Sequence, residues 1–461
     1  MDSSVPSLLP NRRNSGVLVV VLALVPALSA VLRLGRVHPD ETYQYLEPAF
    51  SRVRGYGVLA WEWQVGLRNW AVPGLLSWFL RLSDRLGVES PRGYRAVMEL
   101  PLVVLHAAAL FAVLRYARRK VDSERLALLS LGLFGLYGPL LELSGRTLGE
   151  TFSAGFLLLA LEVLDREGRP VRTGLLSGAY LGLAVVARYG SGVFVLIALV
   201  WLAVRREWLK LALCGVAGAV VAGALGVLDK VTWGDWFHSL IFYLRFNVLT
   251  HDAADRFGVN PVYFFIPAFI SLFPLWAWVG AWRAVRRQGN IPLGLLLALG
   301  YLVAVSATPH KEVRFLYPAM VLALMDAVPG FVTWLGSRPG VPRIQALRWG
   351  LTVLVGLVPG YFLLAERPEQ FQAITAATRG SDTRGLLVVN EGLWGAGGYF
   401  YIGKRIPWTL TDHATDAVFQ QAMRSPVINR VVTYDDAALP ELEAAGFHVM
   451  QKMGHAKWLA R

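Results

Sequence analysis

The residues able to do chemistry gather in a few short blocks. The first, "HPDETYQYLEP", begins at His38 and sets Asp40 beside Glu41, with Gln44 and Glu47 following. Pro39 suits the first position of a helix and His38 its cap, so Asp40 and Glu41 fall in a first turn whose dipole favours carboxylates. On a regular helix Asp40, Gln44 and Glu47 share one face, while Tyr43 and Tyr45 offer aromatic surface. A second block, "WEW", flanks Glu62 with Trp61 and Trp63 and is followed by Arg68. Two rings beside a carboxylate suit stacking on a sugar face and accepting hydroxyl hydrogen bonds, although Trp is also common at bilayer interfaces. The third block, "HKEVR", holds His310, Lys311 and Arg314, with Lys311 and Arg314 one helical turn apart.

Together with Arg146, Arg188 and Arg245, these groups suit a reaction in which a carboxylate removes a proton from a hydroxyl while cations hold a departing phosphate. Glycosyl transfer from a lipid-linked sugar phosphate fits that pairing; an ion or proton pathway fits the same charges. His38, Asp40 and Glu41 are metal-ligand types, but their spacing is unconvincing and a cation-rich site stabilises phosphate without a metal. No cofactor is firmly implied, and a divalent metal is not expected.

The elements that must position these blocks cross a membrane. Of 461 residues 55% are hydrophobic and only 17% charged, and the mean hydropathy is +0.46, which is too apolar for a soluble enzyme of this size. The net charge of +13 lies between apolar runs, where it reads as a topology signal rather than a nucleic-acid surface. The lone cysteine, Cys214, excludes an intrachain disulfide and a cysteine-based metal site.

About eleven apolar runs are expected as transmembrane helices, near 16–33, 94–114, 126–144, 148–164, 173–187, 190–204, 209–228, 262–282, 291–307, 313–334 and 346–364. The first, preceded by Arg12 and Arg13, reads as an uncleaved anchor. With that end inside, every second loop is basic, as in "RYARRKVDSER", "RREWLK" and "RAVRRQG". The first outer loop, 34–92, and the "HKEVR" turn then face outward. Residues 70–86, broken by Pro73, Arg81, Asp84 and Arg85, read as an interfacial or re-entrant helix.

From about Glu366 the pattern changes. "GLLVV" (385–389), "RVVTY" (430–434) and "FHVMQKM" read as strands, and "DAVFQQAMRS" and "ALPELEAAG" as helices. The expected division is therefore a polytopic all-α domain, 1–365, and a small extracytoplasmic α/β domain, 366–461. Within the latter, "NEGLWGAGG" lacks the spacing of a nucleotide fingerprint and reads as a flexible glycine loop.

Four blocks carry a resemblance. "HPDETYQYLEPAF…GYGVLAWEW…GLRNWAVPGLL", "SGRTLGETF", "LDKVTWGDWFHSLIFYLRFNVL…FGVNPVYFF" and "TPHKEVRFLYPAM" resemble, in order, blocks of the glycosyltransferase family 22 mannosyltransferases, which include the Alg9-type and PIG-B-type enzymes. The resemblance implies a GT-C fold and an inverting transfer of a sugar, usually mannose, from a polyprenyl-phosphate donor to a glycan or glycolipid hydroxyl. It implies a site on the non-cytoplasmic face with the essential acid in the first outer loop, matching Asp40; Glu41 is either a supporting acid or part of the cap. His310, Lys311 and Arg314, with Arg146 and Arg188, are then candidates for the donor phosphate, and Trp61, Glu62, Trp63, Gln44 and Arg68 for the acceptor or sugar. The chain has "GET" and "RYGSG" where many relatives have an asparagine-containing block and "RPT", departures that bear on the acceptor. The alternative is a transporter or flippase of lipid-linked sugars. The expected partners are donor, acceptor and bilayer, without nucleic acid. The Ala-, Gly- and Arg-rich composition points to a bacterial plasma membrane with the site outside, or to the endoplasmic reticulum if the source is eukaryotic.

Overall fold

The computed structural model describes residues 12–35, 37–250, 252–363 and 370–461. The expected boundary at 365/366 lies outside the described residues. By compactness the chain falls into two units: Met1–Pro26, Leu102–Gly145 and Gly149–Leu364 form one, and Ala27–Pro101, Arg146–Leu148 and Ala365–Arg461 the other. The grouping differs from a division into 1–365 and 366–461, because the first loop shares a unit with the carboxyl-terminal region.

The first unit is helical. All eleven expected apolar stretches contain helix. Among the described residues, Ser15–Arg33, Pro91–Lys120, Pro170–Ala187, Trp208–Trp233 and Val313–Gly336 are long and apolar enough to cross a bilayer unbroken. Val262–Leu272 and Leu275–Gln288 make a sixth if counted together, although they meet at a bend of 99°. The 126–144 stretch is likewise broken, into Glu124–Gly135 and Gly138–Leu143.

Glycines set how closely these helices approach. Gly174, Gly178 and Gly182 stand four residues apart on Pro170–Ala187 and face Trp208–Trp233; a Cβ on Gly178 would lie 2.1 Å from the Cys214 carbonyl oxygen. Small residues at this spacing let two backbones pack without intervening side chains, the usual means of helix association in lipid. Tyr317–Gly336 runs through the middle of the unit, packed against Gly149–Leu164, Leu275–Gln288 and Leu293–Ser306.

The second unit combines the first loop with a five-stranded sheet. One helical run extends from Pro39 to Arg54, but Glu41–Leu46 within it is π-helical. Ala71–Arg85 covers the ambiguous 70–86 stretch. At about 1.5 Å per residue it spans roughly 22 Å, short of a bilayer core of about 30 Å. It buries Val72, Leu76 and Leu80 and exposes Leu75, Trp78 and Leu82.

The strands are β1 (Leu386–Val389), β2 (Trp408–Thr411), β3 (Arg430–Thr433), β4 (His448–Met453) and β5 (Ala456–Ala460), in the order β2-β1-β3-β5-β4. β1 is parallel to β2 and β3, and β5 is antiparallel to β3 and β4. The apolar runs of β1 and β3 are buried throughout, as strands covered on both faces must be. Ala417–Arg424 and Leu439–Ala444 are helical as expected. β2 and β5 were not among the expected strands, because each is short and mixes polar with apolar residues in too few positions to show a period.

Gly178→Leu forces a four-carbon side chain into the Cys214 backbone. Overpacking typically costs about 1–3 kcal/mol, so the variant in detergent should unfold at a lower temperature than wild type; an unchanged midpoint would show that the helices do not approach as described.

Candidate active site

Three acids of the "HPDETYQYLEP" block lead to three different environments. His38 caps the helix as expected: its Nδ1 accepts from the Asp40 amide at 3.2 Å, and lies 3.5 Å from the Asp40 carboxylate. The Asp40 side chain remains 23% exposed. Glu41 is buried and receives the Arg95 guanidinium at 2.5 Å, with the Arg146 guanidinium 3.7 Å away. Arg95 also pairs with Glu99 at 2.9 Å and donates to the Tyr401 hydroxyl at 2.6 Å. Thr147 Oγ1 completes the cluster at 3.3 Å from Glu99. Every one of these residues belongs to the second unit.

Glu47 turns the other way. Its carboxylate accepts the Val58 amide at 2.8 Å, the Tyr399 amide at 3.1 Å and the Phe400 amide at 2.7 Å. The last two amides follow Gly397 and Gly398, which adopt φ of +77° and +65°, a conformation that favours glycine. A Cβ on Gly398 would lie 2.7 Å from Glu47 Oε2. The "NEGLWGAGG" segment is therefore not a loose loop: it leads into two amides that receive a carboxylate supplied by the chain itself. Burial pushes the Glu47 carboxyl up to about 7, while the three amides draw it back down.

The polar stripe expected of Asp40, Gln44 and Glu47 is absent. A π-helical turn changes the registry that an α-helix would keep, so that Gln44 and Glu47 are buried while Asp40 keeps some exposure. Tyr43 also departs from expectation: it is fully buried, and its hydroxyl donates to the Leu393 carbonyl.

The first unit carries Arg188, His310, Lys311 and Arg314. Arg188 and Arg314 both reach Glu150 Oε1, the first in close contact and the second at 3.4 Å. Arg314 also donates to Glu312 at 2.6 Å, and His310 Nε2 lies 3.0 Å from the other oxygen of Glu312. Both guanidiniums lie over the Phe315 ring, 4.4 and 5.5 Å from its centroid. This is a compact pair of oriented guanidiniums of the kind that suits a phosphate. Lys311 is spent differently. It is almost fully buried, and its ammonium donates to the carbonyls of Asn260, at 2.9 Å, and Thr308. Its position one turn from Arg314 does not put the two on a common face, because the chain is bent at 308–310, irregular at 311–312 and then a 3₁₀ segment, Val313–Leu316.

In the "WEW" block, Trp63 is buried against Trp70, with centroids 4.6 Å apart, and so presents no face to a sugar. Trp61 stays half-buried, and Glu62 lies 3.7 Å from Arg68. Arg146 donates to the Gly35 carbonyl at 2.9 Å beside Glu41. Among the described residues no three His, Cys, Asp or Glu side chains form a metal-holding group; Glu41 turns toward Arg95.

The model of the Alg9-like mannosyltransferase family matches residues 17–365. The chain belongs to that family. GPI mannosyltransferase 3 of Yarrowia lipolytica is 27% identical over 75% of this chain and 67% of that protein. GPI mannosyltransferase 3 of Drosophila melanogaster is 25% identical over 75% of this chain and 61% of its own length, and GPI alpha-1,2-mannosyltransferase 3 of Bos taurus is 25% identical over 69% and 60%. This chain thus spans between 60% and 67% of the length of these relatives. The crystal structure of ArnT from Cupriavidus metallidurans bound to undecaprenyl phosphate aligns over 98% of both chains with a TM-score of 0.60 at 17% identity. That likeness gives the fold, GT-C.

In this Alg9-like chain the residues missed by sequence reasoning are Arg95, Glu99 and Tyr401. Arg95 and Glu99 had a visible signal, an opposite-charge pair four residues apart at the start of an apolar span. Tyr401 had none, since it comes from the far end of the chain.

Two measurements check these assignments. Arg95→Met leaves Glu41 and Glu99 buried without their closest cation, a change that typically costs about 3–5 kcal/mol, and should lower the unfolding midpoint far more than Arg68→Met. For Glu47 the folded value of about 7 lies above the ordinary 4.5. The stability this adds is present below about 4.5 and is lost as pH rises through about 7. The wild-type midpoint should therefore fall between pH 5 and 8, and fall less in Glu47→Gln; parallel profiles would remove Glu47 as the source.

Proposed function

We propose that the chain is an inverting mannosyltransferase that moves a mannosyl group from a polyprenyl-phosphate donor to a hydroxyl of a glycan or glycolipid on the non-cytoplasmic face. The observation that carries the reading is the division among the acids of one block. Glu41 and Glu47 are buried and held by a guanidinium or by amides, whereas the Asp40 side chain, beside His38, stays 23% exposed. A base must reach the proton it removes. Asp40 is that base.

The step balances as one displacement. The acceptor oxygen forms a bond to the anomeric carbon as the bond to the phosphate oxygen breaks, and the acceptor proton passes to Asp40. The polyprenyl phosphate leaves with the electron pair of the broken bond. Arg188 and Arg314, both held by Glu150, are the guanidinium pair of the first unit whose chemistry suits a phosphate. Fixed cations aimed at developing charge act without reorganising at the moment of reaction. Family membership supports the sugar, and the undecaprenyl phosphate held by the GT-C neighbour supports the class of donor. Lys311 is assigned to the architecture of its turn, not to the donor. No step requires a metal.

With purified protein in lipid and synthetic polyprenyl-phosphate mannose, Asp40→Asn should reduce transfer by about 10²–10⁴-fold at an unchanged unfolding midpoint. Arg314→Met should raise the donor KM together with lowering kcat. Undiminished transfer by Asp40→Asn would remove it as the base, and movement of the donor across the bilayer without transfer would favour a flippase.

A further inference from the structure

Trp394 sits in the "NEGLWGAGG" segment, which the chemistry above leaves without a task beyond receiving Glu47. The segment is fastened at several points. The Tyr43 hydroxyl donates to the Leu393 carbonyl, Gln370 Nε2 donates to the Gly395 carbonyl at 2.8 Å, and Glu47 holds the amides of Tyr399 and Phe400. A Cβ on Gly395 would collide with the Glu391 carboxylate at 1.7 Å. On this immobilised segment one large aromatic side chain faces outward: Trp394 is 43% exposed, although its neighbours Gly395 to Gly398 are all buried. Its ring meets Tyr43 in a T-shaped contact, with centroids 5.1 Å apart and planes at 85°. Tyr43 is three residues from Asp40 on the same helical run. A fixed indole is thus tied, through one buried ring, to the turn that carries the base.

We infer that Trp394 is a binding contact for the acceptor, a platform on which a pyranose ring stacks through its C–H face. The inference rests on the reading of the chain as a mannosyltransferase. An indole held in one orientation loses little entropy when a ring settles on it, which is where preorganised aromatic contacts gain affinity. Of the platform suggested by the sequence, Trp63 is buried against Trp70, and Trp61 is half-buried. The contact needs no charge and no hydrogen bond, so it would serve the ring of the acceptor and leave the phosphate of the donor untouched.

The test uses the full chain in lipid, polyprenyl-phosphate mannose as donor, and n-octyl α-D-mannopyranoside as the acceptor probe, with mannose release to water measured in parallel. Trp394→Ala should raise the probe KM by about tenfold or more, with donor KM and release to water within twofold of wild type. Trp394→Leu keeps apolar bulk against Tyr43 without a π face and should behave like Trp394→Ala; Trp394→Phe should recover most of the affinity. A probe KM unchanged within twofold in Trp394→Leu overturns the inference, as does wild-type protein that releases mannose to water but never to the probe. Wild-type protein that releases mannose to neither overturns the transferase reading instead.

Discussion

A charge removed from water must be answered by another charge or by dipoles, and this requirement organises the first loop. Arg95 has no exposed surface at all, and three of its neighbours exist to satisfy it: Glu41, Glu99 and the Tyr401 hydroxyl. Continuum reasoning gives such clusters little net stability relative to an apolar core, but removing any one charge from them is expensive. The cluster therefore acts as a constraint on geometry. Glu41 cannot leave it, so the helical run beginning at Pro39 is fixed in rotation, and Asp40, one residue earlier, has its direction set by a neighbour locked in an ion pair.

Glu47 supplies the same kind of constraint in a different way. Anions are commonly found at turns where successive amides converge, and a carboxylate of the first loop fills that role at Gly397 to Phe400. The carboxyl-terminal segment is consequently part of what holds the loop, through this turn, through the Tyr94 hydroxyl on the Phe400 carbonyl, and through the Phe371 amide on the Leu34 carbonyl at 3.2 Å. In the other unit, Glu150 performs the corresponding task for cations. It holds two guanidiniums close together that would otherwise repel, so the cost of orienting them is met in folding.

Much of this is legible in the sequence. Hydropathy located the helices because a bilayer demands long apolar runs, and the change of composition near residue 366 announced strands because buried parallel strands are apolar throughout. Residue types also announced an acid block and a cation block. What could not be read was the allocation of roles within a block. Asp40, Glu41 and Glu47 look equivalent on a regular helix; the π-helical turn and partners some 50 and 350 residues away in sequence separate them. Lys311 shows the same limit: its sequence neighbours advertise a phosphate ligand, but its ammonium is spent on the carbonyls of Asn260 and Thr308.

Glycine-rich segments are the other blind spot, for a specific reason. From sequence, glycine signals only permission, the freedom to adopt positive φ or to accept a close neighbour, and permission is the same in a floppy loop and in a tightly held one. The distinction lies in what comes close. At Gly395 and Gly398 the space a side chain would need is already taken by the carboxylates of Glu391 and Glu47, so the absent Cβ is what lets the turn close on its anion. The rigidity that makes the exposed indole of Trp394 useful thus derives from the residues that, in the sequence, argued most strongly for flexibility.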